Sequence, residues 1–172
     1  MSAWNLYDPQ VIRWRPASPG REAQLRELAE LRAAVEPAAA ALTASRHDPR
    51  VRDELTTHAR AMDTAAREGD GQAYVTADAA FHRVLLTESG SGMFAQLAEV
   101  TEVLLEARRE LLLLPVRLET TAIGLRHEFA EAVVAGRAAG AAQAAAAILG
   151  RARAEVEQIL ADSREHVTEV PR

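Results

Sequence analysis

The sequence predicts an all-α protein, an antiparallel bundle of about six helices, and three observations lead there. Apolar residues recur at helical spacing along most of the chain, and no strand-like alternation survives beside that period. Short breaks built from Gly, Pro, Asp and Ser separate the helical stretches, so an antiparallel bundle is the economical arrangement. Alanine is abundant and aromatics make up only 4% of the 172 residues, a composition suited to close helix packing shaped by leucines.

Residues 1–20 stand apart from this pattern. WNLYDPQVIRWRPASPG carries Trp4, Leu6, Tyr7, Val11, Ile12 and Trp14 among prolines, with no sustained helical period. Exposed linkers are seldom this aromatic, so the segment is expected to pack on the bundle or on a neighbouring domain. Pro16 and Pro19 break the chain before helix-forming sequence begins at Arg21.

The first helix, to about Arg46, presents Leu25, Leu28, Leu31 and Val35 as one stripe, and Pro37 should bend or split it. Asp48-Pro49 is a helix start: Asp48 can cap free amides, and Pro49 loses nothing at the first helical position. That second helix is more polar and ends near Gly69-Asp70-Gly71. The third carries Tyr74, Ala77, Phe81, Val84 and Leu85 as an inward stripe and stops at Ser89-Gly90. A fourth follows the SGSG break, with Met93, Leu97, Val100, Leu104 and Leu111 expected inside and Pro115 ending it. The fifth spans about Arg117 to Ala135, closed by Gly136, and the sixth runs from Ala138 to about Ala161. One domain over residues 21–165 results, with a polar tail at 166–172 expected to fray.

Composition bounds the function. The absence of cysteine excludes disulfides and thiolate metal ligands and suits a reducing, cytoplasmic setting. The opening residues lack a signal-peptide pattern, and the longest oily run, LLLLPV, is too short to cross a membrane. A net charge of -5 with acids and bases interspersed gives no support for a nucleic-acid-binding surface on this chain.

One stretch carries chemistry. In DAAFHRVLLTESG, Asp78 and His82 are four apart on a helix, so both side chains leave from the same face. A carboxylate and an imidazole so placed make half of a metal site or a hydrogen-bonded acid–His pair, at the edge of a buried stripe. The plainer alternative is a surface pair that only stabilises its own turns.

Taken in order, ELAELRAAVEPAAAALTASR, DAAFHRVLLTESG and HEFAEAVVAGRAAGAAQAA are similar to the FCD domain, the C-terminal effector-binding domain of the FadR subgroup of GntR bacterial transcription regulators. The usual Asn after the Ser-Gly turn is Ser91 here, and the usual Gly-Asp pair is Gly136-Arg137. The WNLYDP segment resembles one that follows the winged helix-turn-helix domain in relatives responding to sugar acids. The chain therefore reads as an effector domain without its DNA-binding partner domain, as a truncated form or an effector-only relative.

The resemblance implies a site. The family's metal ligands are one Asp and three His, matched by Asp78, His82 and His127, while the last falls on Leu149 and His166 lies too far along to replace it. Zinc, manganese or nickel is the implied metal, with one wall of the cavity made apolar by Leu149. Arg32 matches a family arginine that can face the effector, although a surface pair with Glu36 one turn on is an equal alternative.

By the same resemblance the chain is a non-enzymatic homodimer binding a small carboxylate, with a sugar acid favoured. It would meet DNA only through the missing domain. Two readings compete: a metal-dependent, hydrolase-like enzyme, and a structural dimerisation domain whose pocket has degenerated.

Overall fold

A computed structural model describes residues 21–110 and 120–168, and these form six helices with no strand among them. The helices are α1 (Arg21–Ser45), α2 (Pro49–Glu68), α3 (Gly71–Thr87), α4 (Gly92–Glu110), α5 (Thr120–Val134) and α6 (Ala138–Thr168). The expectations for residues 1–20, for Leu111 and for the break at Pro115 lie outside the described residues.

Of the bend or split expected at Pro37, the split does not occur: α1 runs unbroken through it. A proline there forfeits one backbone bond, to the carbonyl of Ala33, and the packing of the flanking turns outweighs that loss. Ala39, Ala40 and Ala44 are buried on α1, and Ala141, Ala144 and Ala145 on α6. Their short side chains let α1 and α6 approach along most of their lengths. The antiparallel register of this pair is marked by Arg26 donating to Glu157 at 2.8 Å and Arg153 to Glu30 at 3.5 Å. α6 extends to Thr168, beyond the expected end near Ala161 and into the stretch expected to fray.

The caps follow the sequence. Asp48 accepts from the Arg50 amide at 2.9 Å with Pro49 at the first helical position, and Asp70 accepts from the Ala73 amide at 2.9 Å. Gly90 and Gly136 close α3 and α5 with φ of 79° and 62°, in the left-handed region that favours glycine. Each also lies against a side chain from the α1–α2 corner: the Arg46 guanidinium packs on Gly90 and the His47 imidazole on Gly136. One end of the bundle is thereby locked by three turns that pack together.

Phe81, Leu85, Leu55, Met62 and Phe129 fill the centre, with Phe81 and Phe129 rings 5.2 Å apart. Burying each such side chain contributes roughly 1.5–3 kcal/mol. Every member of the predicted α3 stripe is inside. Met93 is not: it is 73% exposed, because it stands in the first turn of α4, where Ala98 and Val100 further along the helix turn to the core instead.

Candidate functional site

Within this apolar centre lies a chain of five ionisable groups, all buried. It begins on α1, where the Nε of Arg32 donates to Oε1 of Glu36 at 2.5 Å. The second carboxylate oxygen of Glu36 lies 2.6 Å from Nδ1 of His82 on α3. That contact is poorly aligned for a hydrogen bond, so its attraction is chiefly ionic. Nε2 of His82 is 3.5 Å from Oδ1 of Asp78, one turn back on α3. Asp78 in turn accepts from Arg126 of α5, at 2.6 Å from Nη2 and 3.2 Å from Nε. The Arg126 guanidinium also lies over the Tyr74 ring, 5.7 Å from its centroid.

Helical geometry explains the assembly. Arg32 and Glu36 are four apart on α1 and continue the inward face that holds Leu25, Leu28, Ala39 and Thr43. Asp78 and His82 repeat that spacing on α3, and Phe81 sets the His82 ring edge-on at a centroid distance of 5.7 Å. Arg126 belongs to the inward stripe of α5 with Phe129, Ala130 and Val133.

The charges alternate along the chain: Arg32, Glu36, His82, Asp78, Arg126. Burial works to raise the Glu36 pKa, but the positive charges of Arg32 and His82 outweigh it and hold this carboxyl at about 2. Asp78 is likewise pushed up by burial and pulled further down, well below the usual carboxylate range, by Arg126 and His82. His82 loses basicity through burial and gains more from Glu36 and Asp78, despite opposition from Arg32, so its pKa lies above the ordinary value. Glu155 of α6 adds a further negative charge that acts on Arg126.

The sequence-based site is only partly assembled. Asp78 and His82 come together inside the core and are not a surface pair. His127 does not join them. It is 38% exposed, with Nε2 3.9 Å from a carboxylate oxygen of Asp63 on α2. One residue along a helix is a turn of about 100°, so Arg126 faces inward and His127 faces sideways. Leu149 is buried and lines a recess beside Arg32.

Arg32 pairs with Glu36 one turn on, and the pair is buried and not on the surface. Glu36 and Arg126 are site residues the sequence reading did not nominate. Both fall on the inward stripes of their helices, and that was the available signal.

These residues do not fit the implied metal centre. Among the described residues no group of three or more His, Cys, Asp or Glu side chains is placed to hold a metal ion. The Asp78 oxygen nearest His82 is held by a guanidinium, and Nδ1 of His82 lies against Glu36.

Two small recesses flank Arg32. Leu28, Leu31, Val35, Val100 and Thr101 are among the walls of one, between α1 and α4. Leu25, Leu149 and Ala152 help to line the other, and Leu104 is shared by both. Each has room for about one water molecule. Arg32 is 7% exposed, and beyond its Nε contact to Glu36 its guanidinium has no hydrogen-bond partner among the described residues.

Comparison with known proteins agrees with this architecture. The pattern of the FCD domain family matches residues 27–151, and the chain belongs to that family. Among solved structures, a GntR protein of Streptococcus agalactiae has a similar fold, with a TM-score of 0.67 at 20% sequence identity. The match covers 80% of this chain and 61% of that one, so the matched part spans less than two thirds of the other protein's length. No match was found among curated proteins.

Proposed function

We propose that this chain is the ligand-sensing domain of a GntR-type transcription regulator. A small organic acid enters the bundle beside Arg32, is held by its guanidinium, and biases the placement of α1 against the other helices. That placement alters DNA binding by a separate domain, joined through the segment that precedes α1, in a cytoplasmic homodimer.

The observation that carries this reading is the buried charge chain. Five ionisable groups in an apolar core are costly, and well-packed apolar residues of similar size would often be as stable or more so. Their presence is accounted for by a task that needs charge: recognising an anion and passing the change from α1 through Glu36 and His82 to α3 and α5. Asp78 already has a cation in Arg126, so no resident zinc, manganese or nickel is needed to balance it. The same pairing argues against a water-activating, hydrolase-like centre, which needs an open metal position.

The test is a thermal-shift screen of purified protein against small carboxylic acids, repeated on Arg32→Ala. A ligand that raises the midpoint in the natural protein and not in the variant supports sensing. No responsive acid would leave a dimerisation domain with a filled pocket. Turnover of any bound acid would move the assignment to an enzyme.

A further inference from the structure

We infer that the acid recognised at Arg32 is a monocarboxylate with an apolar body, a short branched aliphatic or aromatic acid seated between α1 and α4. This rests on the reading of the chain as an acid-sensing domain and names the chemistry of the acid.

Two independent observations meet here. The first is the idle half of a buried guanidinium. Arg32 is 7% exposed, its Nε is committed to Glu36, and its terminal nitrogens have no hydrogen-bond partner among the described residues. A largely buried guanidinium whose terminal nitrogens are unpaired gains two charge-assisted bonds from an incoming carboxylate, whose planar geometry matches that fork.

The second is the composition of the walls. Leu28, Leu31, Val35, Leu97, Val100 and Leu104 make most of the recess between α1 and α4, with Thr101, Glu36 and Arg32 as its polar side chains. A polyhydroxylated acid would bring several hydroxyls into that lining; Glu36 and Thr101 could pair with one or two, and each of the rest costs about 1–3 kcal/mol when left without a partner. An aliphatic or aromatic body instead gains roughly 25 cal/mol for each square ångström it buries. The mostly apolar walls therefore favour such an acid over the sugar acid that the WNLYDP segment suggested.

The recess must widen to admit such a ligand. α1 packs mainly against α6 and only lightly against α4, so the acid acts as a wedge at the weaker of these two seams. Widening there moves the helix that the N-terminal segment leads into.

The experiment is calorimetry of the purified protein with 4-methylpentanoate, benzoate, gluconate and the neutral 4-methylpentanamide. Binding is expected for the first two, and at least about tenfold weaker affinity for gluconate and for the amide. Arg32→Gln should reduce the affinity for 4-methylpentanoate by about tenfold or more. Leu97→Gln, at a half-buried wall position, should weaken 4-methylpentanoate severalfold without loss of helicity, and it carries the test if the Arg32 variant misfolds.

Arg32-dependent binding of gluconate in preference to the apolar acids would overturn this inference while leaving the sensing function standing. Undiminished binding of the apolar acids by a folded Arg32→Gln protein would overturn the placement. No response to any of the three carboxylates would overturn both.

Discussion

Arg126 reaches the Asp78 carboxylate at 2.6 Å, while His127, the next residue of α5, turns away to Asp63. That one-residue difference decides the chemistry of the core. It puts a permanent organic cation against the buried carboxylate, at the point where the family resemblance led us to expect a metal.

Breaking this pair should be costly. Arg126→Ala leaves Asp78 charged and unpaired inside the bundle, and a loss of about 3–5 kcal/mol in unfolding free energy is expected from denaturant titration. The double variant Asp78→Asn/Arg126→Met should recover a large part of that loss. A fall below about 1 kcal/mol for Arg126→Ala would show that the ion pair does not stabilise the core.

Replacing the guanidinium by an imidazole should change what the centre binds. Arg126→Ala removes the cation without adding a ligand, whereas Arg126→His places a third nitrogen or oxygen donor near Asp78 and His82. Zinc titration followed by calorimetry should give measurable affinity for Arg126→His and none above background for Arg126→Ala. Equal zinc binding by the two would mean that residue 126 does not face the site.

The pair was only half legible in the sequence. Asp78 and His82 were found because a four-residue spacing on an obvious helix fixes their common face. On α5 the resemblance points to His127, whereas the helical period points to Arg126. Residues 126, 129, 130 and 133 form a stripe that includes Phe129 and Val133, and residue 127 lies off it.

Glu36 was read as a partner for Arg32, correctly, but on the surface, because nothing local says that an Arg–Glu turn is buried. Only the packing of α1 on α6, α3 and α5 does so. Six helices and their capping turns were legible because Asp48, Asp70, Gly69 and Gly136 are local signals. The inward position expected for Met93 failed at a first turn, where the helical period has not yet committed a face.

Stability should depend on pH in two windows. The His82 pKa is raised in the folded state, so its contribution is complete below the unfolded value of 6.5 and is lost as pH rises through the folded value. Glu36 is lowered from 4.5 to about 2, so its contribution is present above 4.5 and is lost as pH falls towards 2. Melting curves should show a decline above neutrality that is reduced in His82→Gln, and an acid-side loss that is reduced in Glu36→Gln. Identical alkaline profiles for the natural protein and His82→Gln would contradict the bridging role of His82.

The locked end of the bundle should be sensitive to a single methyl group. Gly136→Ala forces a non-glycine residue to φ 62° and drives its Cβ into the His47 imidazole. A loss of at least about 1–2 kcal/mol is expected. Adding His47→Ala should recover the steric part and leave the backbone part. A double variant no more stable than Gly136→Ala alone would show that the imidazole does not limit this turn.

Assembly is testable through two exposed apolar side chains. Leu42 on α1 is 45% exposed and Met93 on α4 is 73% exposed. Both stand at the end of the bundle where Arg46 packs on Gly90. A homodimer that pairs through α1 and α4 would bury both side chains. Leu42→Glu/Met93→Glu should weaken self-association at least about tenfold in sedimentation equilibrium, with helicity unchanged. Unaltered association would place the contact elsewhere.

In the proposed mechanism this domain senses an organic acid through Arg32, with no metal between ligand and protein. It is tested most directly by the acid-induced shift in melting midpoint, measured before and after exhaustive chelation. The predicted result is the same shift in both samples and its loss in Arg32→Ala. A shift abolished by chelation and restored by zinc, manganese or nickel would contradict it.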